Sequence, residues 1–275
     1  MKFLVEIKSN EHNGIIRGFE FKPESIDRCV ILIPDISIPH YLYDELAQAM
    51  TQSNCAVLCY QMKGQDDPNN LVSFKKDDII DDVEELIRYA KKQYTQVMIT
   101  LIGIGIGAHL AVQSYLYHIN YIDQIILVAP SHYDLDLKNR LKSKWEAINY
   151  PDTVSQYYQL LWKQSQENSF WYSDYLKSIP GYGQLITNQT FEEILSLQSL
   201  IKHVDILSSN IVVNMYLILP HCDLLCDQSF DQVIASKLSD IHGYNIEVIH
   251  LDNQKHDLAF TQQGAELLLE KIKKK

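Results

Sequence analysis

The sequence is poor in what several function classes require. No stretch of its 275 residues approaches the ~20 consecutive apolar residues that a bilayer-spanning helix needs. The opening residues Met1-Lys2-Phe3-Leu4-Val5-Glu6 reach a carboxylate too soon for the apolar region of a signal peptide. Cationic residues are scarce, 24 against 35 acidic ones, and the formal charge is -11. Phosphate backbones require concentrated Lys and Arg, and no basic stripe is present, which argues against a nucleic-acid partner. The one cationic run, Lys271 to Lys275, closes an expected C-terminal helix, where it suits the helix dipole. Five cysteines (Cys29, Cys55, Cys59, Cys222, Cys226) form no even disulfide framework. The expectation is a cytoplasmic protein with neither a nucleic-acid nor a membrane partner.

What is present is apolar bulk, at 46% of residues, enough for a full core. Two strands, Met1 to Lys8 and Ile15 to Lys22, flank an Asn-Gly turn and predict an antiparallel hairpin. Short continuous apolar runs then alternate with helical patterns. Cys29 to Ile33, Ala56 to Tyr60, Val97 to Ile102 and Gln124 to Ala129 read as strands covered on both faces. Between them, Asp77 to Gln93 places Ile79, Val83, Leu86, Ile87 and Ala90 on one helical face. Such alternation predicts an α/β fold with a mostly parallel central sheet and helices on both sides. From Ser131 to Asn210 the alternation stops, and aromatics such as Tyr133, Trp145, Tyr158 and Trp171 accumulate. Residues 131–210 are therefore expected to form a helical cap inserted in a single domain over 1–275. Strands Ile211 to Leu219 and Ile246 to Leu251, and a last helix from Asp257 to Lys274, complete the pattern.

The segment Leu101-Ile102-Gly103-Ile104-Gly105-Ile106-Gly107-Ala108-His109 is a strand running through glycines into a helix. It resembles the nucleophile elbow G-x-S-x-G of α/β hydrolases of the esterase and lipase type. Gly103 and Gly107 match, while Gly105 stands where the family has its serine, leaving the nucleophile position vacant. A competing reading, a dinucleotide-binding turn, requires G-x-G-x-x-G in the first βα unit, and this segment spells G-x-G-x-G in mid-sheet.

The resemblance extends over nearly the whole chain. Ile33-Pro34-Asp35-Ile36 stands where the family usually has a His-Gly pair, and it implies that the N–H groups of Ile36 and Ile106 are the oxyanion donors. A carboxylate at Asp35 would then oppose developing negative charge. The same resemblance maps the catalytic acid onto Asp223 and the catalytic histidine onto His256, a retained dyad without its nucleophile.

Weaker candidates are Cys222, Ser131 and Ser37 as relocated nucleophiles, and His221, Cys222, Asp223 and Cys226 with His250 or His256 as a metal site. The Cys-x-x-x-Cys spacing does not suit zinc, so neither a metal nor any other cofactor is expected. His109 reads as a packed or surface histidine. Three functions remain open. The first is a non-catalytic, hydrolase-fold protein that binds a small apolar molecule or a protein partner. The second is an enzyme in which Asp223 and His256 act as general base without a covalent intermediate. The third is hydrolysis through a relocated nucleophile. The oligomeric state has no signature in the sequence.

Overall fold

A computed structural model describes residues 1–9, 14–36, 38, 40–63, 71–118, 120–133, 135–167, 185–203, 213–220, 236, 245–252 and 254–274. Among these, eight strands form one sheet in the order β1-β2-β4-β3-β5-β6-β7-β8. The hairpin is β1 (Lys2–Lys8) and β2 (Ile15–Phe21), and β2 pairs antiparallel with β4 (Cys55–Gln61). From β4 onward every pairing is parallel, through β3 (Arg28–Ile33), β5 (Met98–Ile104), β6 (Gln124–Val128), β7 (Asn214–Pro220) and β8 (Asn245–Leu251). β3 and β6 are buried at every position. This is the burial expected of strands with helices on both faces, and it explains why they read as unbroken apolar runs.

The helices follow the strands. α1 (Tyr43–Thr51) precedes β4, α2 (Lys76–Gln93) precedes β5, and α3 (Ile106–Tyr117) leaves β5 directly. α2 buries Ile79, Val83, Leu86, Ile87 and Ala90, the face its periodicity predicts. α3 is predominantly apolar and its residues Ile106 to Tyr115 are buried, the polar His109, Gln113 and Ser114 included, as befits a helix enclosed between sheet and neighbours. Among the described residues, three helices lie between β6 and β7: α4 (Leu137–Asn149), α5 (Gln156–Glu167) and α6 (Asn188–His203). The last helix, α7 (Gln262–Lys273), is capped by the Thr261 hydroxyl, which accepts from Gly264 N–H. No described helix is long and apolar enough to cross a membrane.

The first strand after the hairpin ends at Ile33 and the glycine turn ends β5, so both open onto the same edge of the parallel sheet. Loops at the carboxyl ends of parallel strands are where such sheets bind ligands.

Candidate active site

At that edge Gly105 joins β5 to α3 with φ 58° and ψ -120°. A side chain at this φ is strained, whereas glycine adopts it freely. The flanking glycines are required by contact. A Cβ at Gly103 would overlap Gly107 O, and one at Gly107 would overlap Ile33 O and lie 2.6 Å from Pro34 O. The helix thus starts hard against β5 and against the loop that leaves β3.

That loop carries Asp35, which is fully buried. One carboxylate oxygen, Oδ1, accepts the N–H of Ile36 at 2.8 Å and the N–H of Ile106 at 3.1 Å. These are the two backbone donors that the sequence resemblance assigns to an oxyanion, and here a side chain of the protein itself occupies them. The carboxylate also fills the space above Gly105. A Cβ on that glycine would overlap Asp35 Cγ and lie 2.6 Å from Oδ1. Asp35 N–H donates to the Tyr43 hydroxyl at 2.9 Å, which holds the loop against α1. Burial, then the Asp35 charge, push the Tyr43 phenol well above its ordinary range, so it stays neutral.

The second oxygen, Oδ2, faces His256 Nε2 at 3.8 Å. Ser131 Oγ lies 3.0 Å from the same nitrogen, and Ser131 and His256 are both fully buried. Between the end of β6 and Ser131 the chain turns at Ala129, whose φ of 44° few non-glycine residues adopt. The Ser131 carbonyl accepts from His109 Nε2 at 2.7 Å and from Gln198 Nε2 at 2.8 Å. A carbonyl can only accept, so His109 carries its proton on Nε2. Burial pushes the His109 pKa down to about 4, and the Ser131 carbonyl only partly offsets this. From α5, Tyr158 packs its ring near Tyr133 and Phe191. Its hydroxyl is buried without a hydrogen-bond partner among the described residues. Burial, then the Asp35 charge, raise its pKa.

The structure therefore brings Asp35, Ile36, Gly105, Ile106 and His256 together, with Ser131 added. Asp223, Ser37, His221, Cys222 and Cys226 lie outside the described residues, and His250 is exposed at the far edge strand. Sequence reasoning leaves His109 as either a packed or a surface histidine, and it is packed, with no exposed surface. It misses Tyr43, Gln198 and Tyr158. No motif marks them, because each reaches the site through tertiary packing of a separate helix.

Beside this cluster lies a cleft of about 480 Å³ between α1 and α7, lined by Tyr41, Leu42, Leu46, Ala259, Phe260 and Ala265 among others. Phe260 also meets the ring of Tyr43 edge-on at 4.9 Å, and Tyr43 in turn accepts from Asp35 N–H, so two rings link the cleft to the Asp35 loop.

Among curated proteins no sequence matches significantly. Solved structures are similar in fold. A thermostable carboxyl esterase from Bacillus coagulans superposes with TM-score 0.78 at 11% identity, over 99% of this chain and 96% of that one. A lipase in an open form gives 0.79 at 12% identity, over 99% and 97%. A soluble variant of monoglyceride lipase from Saccharomyces cerevisiae gives 0.71 at 11% identity, over 99% and 93%. At such identities the likeness is one of fold, the α/β-hydrolase fold. The family model for serine aminopeptidase, S33, matches residues 27–245, well over half of the sequence, and the chain belongs to that family.

Proposed function

We propose that this chain is a non-catalytic member of its family, which acts by binding a small apolar molecule or a protein partner. The observation that carries the proposal is Asp35 Oδ1 accepting both Ile36 N–H and Ile106 N–H. Acyl transfer needs two such donors aimed at a developing oxyanion and a nucleophile below it. Here a carboxylate already holds the donors, and Gly105 offers no attacking atom. A substrate carbonyl would have to displace a buried anion from two charge-assisted hydrogen bonds, each worth about 1.5–3 kcal/mol. The cleft between α1 and α7, whose apolar Leu42, Leu46 and Phe260 are joined by the polar Glu45, Thr261 and Gln262, supports a small-molecule ligand, since such sites are concave and mix apolar walls with a few polar groups. Composition and buried free cysteines fit a reducing, cytoplasmic location.

One contact favours a second reading. His256 Nε2 within 3.0 Å of Ser131 Oγ is the distance at which an imidazole can take a hydroxyl proton. A relocated nucleophile at Ser131 would still lack free oxyanion donors, which is why it ranks second. Treatment with a fluorophosphonate followed by intact-mass measurement separates the two. The expected result is no adduct, with binding of the apolar dye N-phenyl-1-naphthylamine that Ala265→Trp abolishes and His256→Ala leaves unchanged. An adduct mapped to Ser131 and lost in His256→Ala establishes the second reading instead. Dye binding indifferent to Ala265→Trp removes the cleft as the ligand site.

A further inference from the structure

Helix α4 has its polar and apolar faces reversed. At 100° per residue, Leu137, Ile148, Leu141 and Trp145 fall within about a quarter of the helical circumference. That sector faces outward. Leu137 is 75% exposed, Ile148 72%, Leu141 61% and Trp145 54%. The stripe runs about 17 Å along the axis, and Tyr150, also exposed, extends it by packing edge-on against Trp145 at 5.6 Å.

The inward side of the helix is held by polar contacts. Arg140 Nη1 donates to both carboxylate oxygens of Glu192 on α6, at 2.7 and 2.8 Å, and Ser143 Oγ donates to Oε1 at 2.6 Å. A helix whose apolar stripe is needed for the core would bury it. This one is clamped by its polar side and presents its apolar side to the surroundings.

The charge around the stripe is also unlike that of the molecule. The whole chain carries -11, yet α4 holds Lys138, Arg140, Lys142 and Lys144 against one carboxylate, Glu146. Arg140 is matched by Glu192 and Lys142 pairs with Glu146 at 3.7 Å, which leaves Lys138 and Lys144 as the charges that edge the stripe. Lys138, Lys142 and Lys144 are exposed. On the helical projection Lys144 lies on one flank of the apolar stripe, with Lys138 and Lys142 on the other. Lysine stems can lie along apolar surface while their ammonium groups reach outward.

We infer that α4 is a docking surface for an anionic lipid bilayer, lying in the plane of the interface. An outward apolar stripe with tryptophan and tyrosine, edged by lysines, matches the acyl boundary and the anionic headgroups together. Lys138 and Lys144, one on each flank of the stripe, make the fit specific, because the rest of an acidic surface is repelled by the same lipids. The inference is independent of what the buried site does.

The test is flotation of the full chain with vesicles of pure phosphatidylcholine or of phosphatidylcholine mixed with phosphatidylglycerol. The protein is expected to float with the anionic vesicles and to remain below with the neutral ones. The double variant Leu141→Glu, Ile148→Glu should lose flotation with an unchanged circular dichroism spectrum. The double variant Lys138→Glu, Lys144→Glu should weaken it at least ~10-fold. Tryptophan emission should shift to the blue on binding, a shift absent from a Trp145→Phe variant that still floats. Three results overturn the inference. They are no flotation with anionic vesicles, flotation on neutral vesicles that ignores the lysine reversal, and a dimer in sedimentation equilibrium that Leu141→Glu, Ile148→Glu converts to monomer.

Discussion

At the scale of single residues, Gly105 and Asp35 form one unit. The glycine has a φ that costs a side chain about 1–3 kcal/mol, and the carboxylate stands where a Cβ would go. Gly105→Ser is expected to lose that much stability and more, because the introduced side chain also meets Asp35 Cγ. Asp35→Gly alone leaves the N–H groups of Ile36 and Ile106 buried without their acceptor, at about 1–3 kcal/mol each. The two changes share a site, so together they should cost less than their separate costs added, by more than 0.5 kcal/mol, roughly the limit for independent positions. Denaturant unfolding of the two single variants and the double one measures this coupling. Strict additivity would mean that the carboxylate does not occupy the space above Gly105. The glycine itself is legible in the sequence, as is an anion beside the donors. That Asp35 accepts from both donors is not, because it depends on a side-chain rotation that no spacing encodes.

At the scale of elements, strands and core helices read more clearly than the segment between β6 and β7. β3, β5 and α2 have periodicities that burial enforces, and they fold as their patterns predict. α4 obeys its pattern in the opposite sense: the apolar stripe is visible in Leu137, Leu141, Trp145 and Ile148, but periodicity alone does not say which way a stripe faces. The direction is set by Glu192, fifty residues away in the chain, which takes two bonds from Arg140 and one from Ser143. Glu192→Ala should therefore free α4 with little effect on the sheet. Charge-assisted bonds of this kind contribute about 1.5–3 kcal/mol each, discounted here for the half-open setting of Arg140. Amide hydrogen exchange across 137–149 should speed up about tenfold or more, while exchange in α2 stays as it is. Equal acceleration in both would show that Glu192 supports the whole core rather than one helix.

Over the whole molecule, the two edges of the parallel sheet have different tasks. The carboxyl edge carries the Asp35 cluster, and the amino edge carries a buried clamp. Arg28, at the start of β3, donates to Thr100 Oγ1 at 2.8 Å and Gln124 Oε1 at 3.1 Å, spanning β3, β5 and β6. Gln124 Nε2 in turn donates to Lys271 O at 2.9 Å, fastening α7 to the sheet. The cationic tail is thus only partly the solvated helix end that composition predicts, since Lys271 is 4% exposed and pairs with Glu247 on β8. Burial holds the Arg28 guanidinium below its usual pKa, so its desolvation works against its hydrogen bonds. Arg28→Met removes that desolvation cost but deprives Gln124 of its charged donor. Thr100 Oγ1 still donates to Gln124 at 3.1 Å, which softens the loss. Of these opposing effects the lost donor should win, at about 1–3 kcal/mol, and it should be felt first where Gln124 holds α7. Limited proteolysis should then cut within 262–274 before any other described segment, with exchange in α7 rising ahead of that in β5. If α7 stays as protected as in the parent protein, the clamp is a local contact of β3, and the attachment of the last helix rests on Leu268 and Ile272 in the core.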